Sequence, residues 1–156
     1  MTLPRTPSQT VGPFFAIGLA RRAQNKLNAD GLRLHGTVLD GDEMPIDDAV
    51  VEIWDGARWG RCGTDAEGRF WFSVTKPAGR EGEAPRFDVH VFARGLLKHQ
   101  LTRIYFLDEE QANAADPVLS SLDADDRATL IAGPEDGALR FDIRMQGDRQ
   151  TVFFAV

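Results

Sequence analysis

The sequence has little cysteine, little tyrosine and no long apolar run. Its 156 residues include one cysteine, one tyrosine and three histidines. A lone cysteine, Cys62, excludes an internal disulfide and is typical of proteins in a reducing cytoplasm. No apolar stretch approaches the ~20 residues that a helix needs to span a bilayer. The first ten residues also lack the apolar centre of a secretory signal. We therefore expect a cytoplasmic protein.

Positive charge is also scarce. The chain has 18 Lys and Arg residues against 24 Asp and Glu residues, which gives a net charge of −6 and a pI near 5.0. Proteins that bind nucleic acid through its phosphates need a basic surface, so this balance argues against such a partner. The length fits one domain with a sizeable core.

Short segments of alternating apolar and polar residues make up most of the chain after residue 31. Glycine-containing turns at Asp40-Gly41, Glu67-Gly68 and Asp136-Gly137 separate some of them. This pattern predicts a mainly β protein, an antiparallel β-sandwich of about seven or more strands. Acid-led segments predict one or two short helices, at residues 108–115 and 123–131. The predicted strands are residues 32–39, 49–54, 69–75, 86–94, 101–106, 139–145 and 151–154.

Residues 1–30 differ from the rest of the chain. Pro4, Pro7 and Pro13 forbid a regular helix through the first part, yet Phe14 and Phe15 need burial. We expect an ordered arm, residues 1–30, that lies on another surface, followed by a β-sandwich domain at residues 31–156. A frayed terminus is the alternative.

The segment at residues 86–94 carries an unusually polar face. Because side chains alternate along a strand, Arg86, Asp88, His90 and Arg94 share one side. An acid and a histidine two residues apart raise the hypothesis of a metal site, which would need further converging ligands.

The other candidate groups do not strengthen that hypothesis. His35 and His99 lie in other segments, and their spacing does not bring them to His90. Cys62 follows Arg61, which could activate a thiol, but a small core residue is the simpler interpretation. The sequence has no G-x-S-x-G motif for a serine nucleophile.

Several segments together resemble the intradiol ring-cleavage dioxygenases over nearly the whole chain, in order. Some members of this family are built from two kinds of chain, of which only one holds iron. This sequence resembles the chain without iron. The segments are TPSQTVGPFF at 6–15, VEIW at 51–54, GTDAEGRFWFSVTKP at 63–77, FARG at 92–95, TRIYF at 102–106 and FDIRMQGDRQTVFF at 141–154.

The resemblance implies a β-sandwich and a chemistry. Family enzymes hold Fe(III) with two tyrosines and two histidines and insert O₂ between the hydroxyl-bearing carbons of a catechol. Phenolate oxygens stabilise ferric iron, and imidazoles complete the site. Here Tyr105 matches neither ligand tyrosine, and Asp88 and His90 stand at the histidine positions. The loop that carries a ligand tyrosine is reduced to residues 55–59. We therefore expect no metal in this chain and no activity of the chain alone.

The resemblance also implies a partner and a substrate. Fe(III) would be held by a separate beta chain, with the arm of this alpha chain packed on it in a hetero-oligomer of alpha/beta pairs. The substrate would be protocatechuate, converted by O₂ to 3-carboxy-cis,cis-muconate in aromatic catabolism. The substrate-binding residues implied are Thr10, Gly12, Pro13 and Arg94, whose guanidinium can pair with the substrate carboxylate.

Two alternatives remain open from the residues. The chain could be a non-catalytic β-sandwich that binds other molecules or has a structural role, with Arg94 in an ordinary surface ion pair. It could also be a single-chain metalloenzyme that uses Asp88, His90 and another histidine.

Overall fold

The structure is a computed structural model that describes residues 3–12 and 14–155. Within these residues nine strands join in one sheet, so the prediction of a mainly β fold with seven or more strands is confirmed. The strands are β1 (Leu32–Leu39), β2 (Val50–Trp54), β3 (Trp59–Gly63), β4 (Arg69–Val74), β5 (Arg86–Phe92), β6 (Gln100–Phe106), β7 (Ile131–Glu135), β8 (Ala138–Arg140) and β9 (Ile143–Arg144).

The strand order turns the sheet into a nearly closed barrel. The order is β3-β2-β5-β6-β7-β8-β1-β4, with β9 beside β1. The two end strands, β3 and β4, contact each other. Most neighbouring strands are antiparallel, as predicted, but β6 and β7 are parallel, and β1 is parallel to both β8 and β9. The sheet is therefore mixed.

Four helices of five or six residues occur in the described part of the chain. They are α1 (Phe15–Leu19), α2 (Glu110–Ala115), α3 (Pro117–Ser121) and α4 (Ala124–Ala128). The two predicted helices correspond to α2 and α4. Helix α3 forms because the Asp116 side chain accepts from the N–H groups of Val118 and Leu119 and Pro117 starts the helix.

The strands of the structure differ from the predicted ones in four places. Strands β3 and β7 were not predicted, since their sequences contain glycine or proline and alternate poorly. The segment 139–145 is two strands, because Phe141 N–H donates to the His35 carbonyl and Asp142 accepts from Thr37 N–H between them. The prediction of a strand at residues 151–154 is wrong: that segment makes one isolated bridge, from Phe154 to Leu101.

The inward side chains form the core of the barrel. Phe87, Val89 and Val91 of β5 are fully buried, in agreement with the predicted alternation. They pack with phenylalanines of β4 and β6 in one cluster, and Tyr105 belongs to a second cluster beneath the helices. Within the described ranges, no helix has the length and apolar character needed to cross a membrane.

Candidate functional site

Arg94 lies where the chain leaves β5. Ala93 is buried and Gly95 has φ +88, a conformation that favours glycine, so the chain turns sharply just after Arg94. The Arg94 side chain keeps 59% of its surface exposed. Its Nε lies 3.2 Å from Oδ2 of Asp48, and its Nη2 lies 3.6 Å from Oδ1 of Asp47. Arg94 is therefore an exposed cation held along one edge by two carboxylates.

Asp48 is the more buried of these carboxylates. Its side chain is 12% exposed, whereas that of Asp47 is 58% exposed. Among the described residues neither Asp48 oxygen receives a hydrogen bond, because the 3.2 Å approach of Arg94 is poorly directed. Burial raises the pKa of Asp48, and the charge of Arg94 acts in the opposite direction. Arg94 is therefore the main group that compensates the charge of this carboxylate.

The N-terminal arm meets the same turn. The Thr10 hydroxyl accepts a 2.7 Å hydrogen bond from Gly95 N–H. Two predicted site residues, Thr10 and Arg94, are thereby brought to adjacent points on the surface. A Cβ at Gly12 would meet no atom within 4 Å, so packing inside this chain does not require glycine there. Pro13, the fourth predicted residue, lies outside the described residues.

Two clefts flank this turn. One, of about 590 Å³, lies between α1 and Arg94 and includes Phe14, Ile17 and Asp48. The other, of about 440 Å³, is lined by arm residues Gln9 and Val11 and by the segment after Gly95. A larger cleft of about 710 Å³ lies beside α4 and contains none of the predicted site residues.

Asp88 and His90, which stand at the family's ligand-histidine positions, contact other side chains of this chain. Asp88 Oδ1 lies 3.2 Å from Arg86 Nε and 3.4 Å from Arg103 Nε. Arg86 is buried and also donates to Glu83 at 2.8 Å. The His90 ring stacks on the His99 ring, with centroids 4.9 Å apart, so the expectation that His99 lies apart from His90 is wrong. The polar face of β5, which suggested a metal site, therefore carries an ion-pair network at Asp88 and an aromatic stack at His90.

These residues do not fit a ferric centre. Asp88 is already neutralised by two guanidinium groups, which would repel a metal cation. Tyr105 is fully buried and donates to Asp116, and burial raises the pKa of its hydroxyl, which disfavours the phenolate. Across residues 3–12 and 14–155, no three His, Cys, Asp or Glu side chains converge in a way that could hold a metal. The single-chain metalloenzyme hypothesis has no support in this geometry.

Sequence reasoning missed Asp47 and Asp48 as neighbours of Arg94. The signal was the pairing of two predicted strands. Strands β2 and β5 are antiparallel with Val50 opposite Phe92, and continuing that register by two residues places Asp48 opposite Arg94. The contact between Asp48 and Arg94 follows once the strand at 49–54 is known to pair with the strand at 86–94.

Comparisons with known proteins give the family. No protein-family model matches the sequence. The protocatechuate 3,4-dioxygenase alpha chain of Burkholderia cepacia is 42% identical over 198 residues, covering 99% of both chains, and that of Pseudomonas putida is 37% identical over 194 residues, covering 97% and 96%. Both alignments exceed 156 positions, so these relatives carry residues that this chain lacks.

A solved structure gives the same picture of the fold. The dioxygenase domain of a dioxygenase–carbohydrate-binding protein fusion from Streptomyces sp. SirexAA-E superimposes with a TM-score of 0.63 at 17% identity, covering 91% of this chain and 99% of that one. This likeness shows a shared fold, whereas the two relatives that align over nearly the full length show the family. The chain belongs to the protocatechuate 3,4-dioxygenase alpha-chain family of intradiol ring-cleavage dioxygenases.

Proposed function

We propose that this chain is the alpha subunit of an alpha/beta dioxygenase that cleaves protocatechuate. The observation that carries the proposal is the likeness to two alpha chains of that name along nearly the whole length of each. The reaction adds both atoms of O₂ between the two hydroxyl-bearing carbons and yields 3-carboxy-cis,cis-muconate. A single cysteine suits the reducing cytoplasm as the place of this reaction.

In this proposal Fe(III) belongs to the beta subunit and the alpha chain contributes to the substrate pocket. The ion pairs of Asp88 with Arg86 and Arg103 support it, since a guanidinium-bound carboxylate is a poor ligand for iron. The arm at residues 1–30 packs on the beta subunit. Support comes from Phe14 and Ile17, which are 76% and 77% exposed in this chain and would be buried by a partner.

Arg94 binds the carboxylate of protocatechuate in the assembled pocket. Support comes from its exposed guanidinium beside a cleft and from its connection to the arm through Gly95 and Thr10. Gly12 and Pro13 complete the wall, and the free space around Gly12 would allow its backbone to approach a ligand. An arginine suits this role because its charge is permanent and its donors match a carboxylate.

Turnover of two catechols by the alpha/beta complex tests this role. Arg94→Ala should lower kcat/KM for protocatechuate by roughly 10- to 150-fold, the equivalent of a hydrogen bond to a charged group. Turnover of catechol, which has no carboxylate, should change little. Arg69→Ala is the control, since Arg69 pairs with the exposed carboxylates of Asp65 and Glu67 and has an exposed side chain. Equal losses on both substrates would contradict the carboxylate role and favour the surface ion-pair alternative.

A further inference from the structure

The geometry points to Asp48 as a positioning residue, which holds the Arg94 guanidinium in the orientation that receives the substrate carboxylate. This inference rests on the proposed function, because it concerns how the same arginine is aimed. Asp48 need not touch the substrate. It acts through Arg94, from the lining of the cleft between α1 and the turn after β5.

The contacts of Arg94 define which donors remain for a ligand. Nε and Nη2 face Asp48 and Asp47, so the carboxylates occupy the side edge of the guanidinium. Arginine carries five N–H donors in a planar fork, and a carboxylate can pair with two of them at once. The end edge, formed by Nη1 and Nη2, is left for a second carboxylate. A long exposed side chain would otherwise sample many rotamers, and fixing one edge reduces that freedom.

The two aspartates do not contribute equally. Asp47 is 58% exposed and lies 3.6 Å from Nη2, so water screens its charge. Asp48 is 12% exposed, lies 3.2 Å from Nε, and receives no hydrogen bond from any described residue. Partial burial of a carboxylate that no described residue hydrogen-bonds disfavours its charged form in the folded state, and its pKa is raised accordingly. A carboxylate in such an unfavourable position beside a binding residue suits a role in function.

The strand register explains why Asp48 can do this. Strands β2 and β5 are neighbours, and both Ala49 and Ala93 are buried in the core, which fixes the backbone on either side of the contact. The chain after Arg94 is held separately by the Thr10–Gly95 hydrogen bond. The arm therefore restrains the backbone next to Arg94, and Asp48 restrains its side chain.

A double-mutant cycle in the alpha/beta complex tests the inference. Asp48→Asn should lower kcat/KM for protocatechuate by about five- to twenty-fold, with catechol changed less than about two-fold. Asp47→Asn should have a smaller effect. In the Arg94→Ala background, Asp48→Asn should cause no further loss, because its action requires the arginine. Asp108→Asn, which removes an exposed carboxylate paired with Lys76 after the far end of β6, is the control for a lost surface charge.

Two results would overturn the inference: equal losses on both catechols, or the same loss with and without Arg94. If Arg94→Ala distinguishes the two substrates but Asp48→Asn does not, the inference fails while the proposed function stands. If Arg94→Ala itself does not distinguish them, the proposed carboxylate role fails and takes the inference with it.

Stability of the lone chain gives a second, independent test. Because ionised Asp48 is unfavourable in the folded state, Asp48→Asn should leave Tm at neutral pH unchanged or raise it. A merely structural ion pair would instead lower Tm. If the variant cannot be purified, the Arg94 Nε–H signal in ¹⁵N NMR of the wild-type chain decides the matter, assigned with Arg94→Lys. Restricted motion of this N–H bond in ¹⁵N relaxation supports the contact with Asp48, and motion as free as that of Arg5 overturns it.

Discussion

The hydroxyl of Thr10 accepts a 2.7 Å hydrogen bond from the backbone N–H of Gly95, joining the N-terminal arm to the turn after β5. The two residues are 85 positions apart in the chain. Thr10 is exposed, so the bond is accessible to water and its net contribution is modest. It nevertheless sets where residues 3–12 lie relative to Arg94.

Removal of this hydroxyl should release the arm. Thr10→Val keeps the shape of the side chain but leaves Gly95 N–H without its acceptor. We expect the Gly95 amide to exchange with solvent at least about five-fold faster, the equivalent of roughly 1 kcal/mol for one hydrogen bond. Amide hydrogen exchange followed by NMR measures this at the single residue.

The matched control is Thr6→Val, a change of the same kind at an exposed arm position. It should leave the exchange rate of the Gly95 amide unaltered. Unchanged exchange in Thr10→Val would show that the hydrogen bond does not persist in solution.

The network around Arg86 should stabilise the fold. Arg86 has a side chain only 7% exposed and contacts Glu83 and Asp88. Arg86→Met therefore leaves Glu83 without this partner and Asp88 with Arg103 alone. We expect a loss of about 2–3 kcal/mol in the free energy of unfolding at pH 7, measured with urea. Arg69→Met is the control: Arg69 also contacts two carboxylates but is 63% exposed, and its loss should stay below about 1 kcal/mol.

The same network predicts a pH dependence. The hydrogen bond from Arg86 lowers the pKa of Glu83 below its ordinary value of 4.5. A carboxyl group with a lowered pKa stabilises the folded state above its ordinary pKa, and that stabilisation is lost as the pH falls through the folded-state pKa. The difference between wild type and Arg86→Met should therefore shrink between pH 7 and about pH 3.5. A difference that stays constant over this range would contradict the assignment.

The apolar surface of α1 should be needed for assembly and not for folding. Ile17 is 77% exposed, so Ile17→Ser removes little buried area from the lone chain. We expect Tm to change by less than about 2 °C, while recovery of the beta subunit in co-purification falls. Met44→Ser, at a position 60% exposed outside the arm, is the control and should assemble normally. Normal assembly of Ile17→Ser would show that the arm packs elsewhere.

Strand periodicity predicted the fold because the core is built from inward side chains at every second position. Strand β1 has the predicted bounds of residues 32–39, and β5 buries Phe87, Val89 and Val91 as its alternation indicates. The method failed where hydrogen bonding rather than side-chain alternation makes the strand. Strand β7 contains Gly133 and Pro134 and is paired through its backbone to Tyr105 and Arg140, so its sequence shows no alternation.

The candidate site was predictable only in part. Arg94 and Thr10 were found through the resemblance, and the structure brings them together through Gly95. Asp48 was missed because its contact depends on β2 pairing with β5, which periodicity does not reveal. The polar face of residues 86–94 suggested a metal site because Arg103, which binds Asp88 from the next strand, could not be placed from spacing alone.

Iron content and oxygen uptake of the separate and assembled chains test the central claim most directly. The alpha chain and its beta partner are expressed separately and together, and each sample is assayed for bound iron and for oxygen consumption with protocatechuate. The account predicts that the lone alpha chain has no stoichiometric iron and no turnover, and that the co-expressed complex has both. A lone alpha chain that carries stoichiometric iron and consumes oxygen would contradict it.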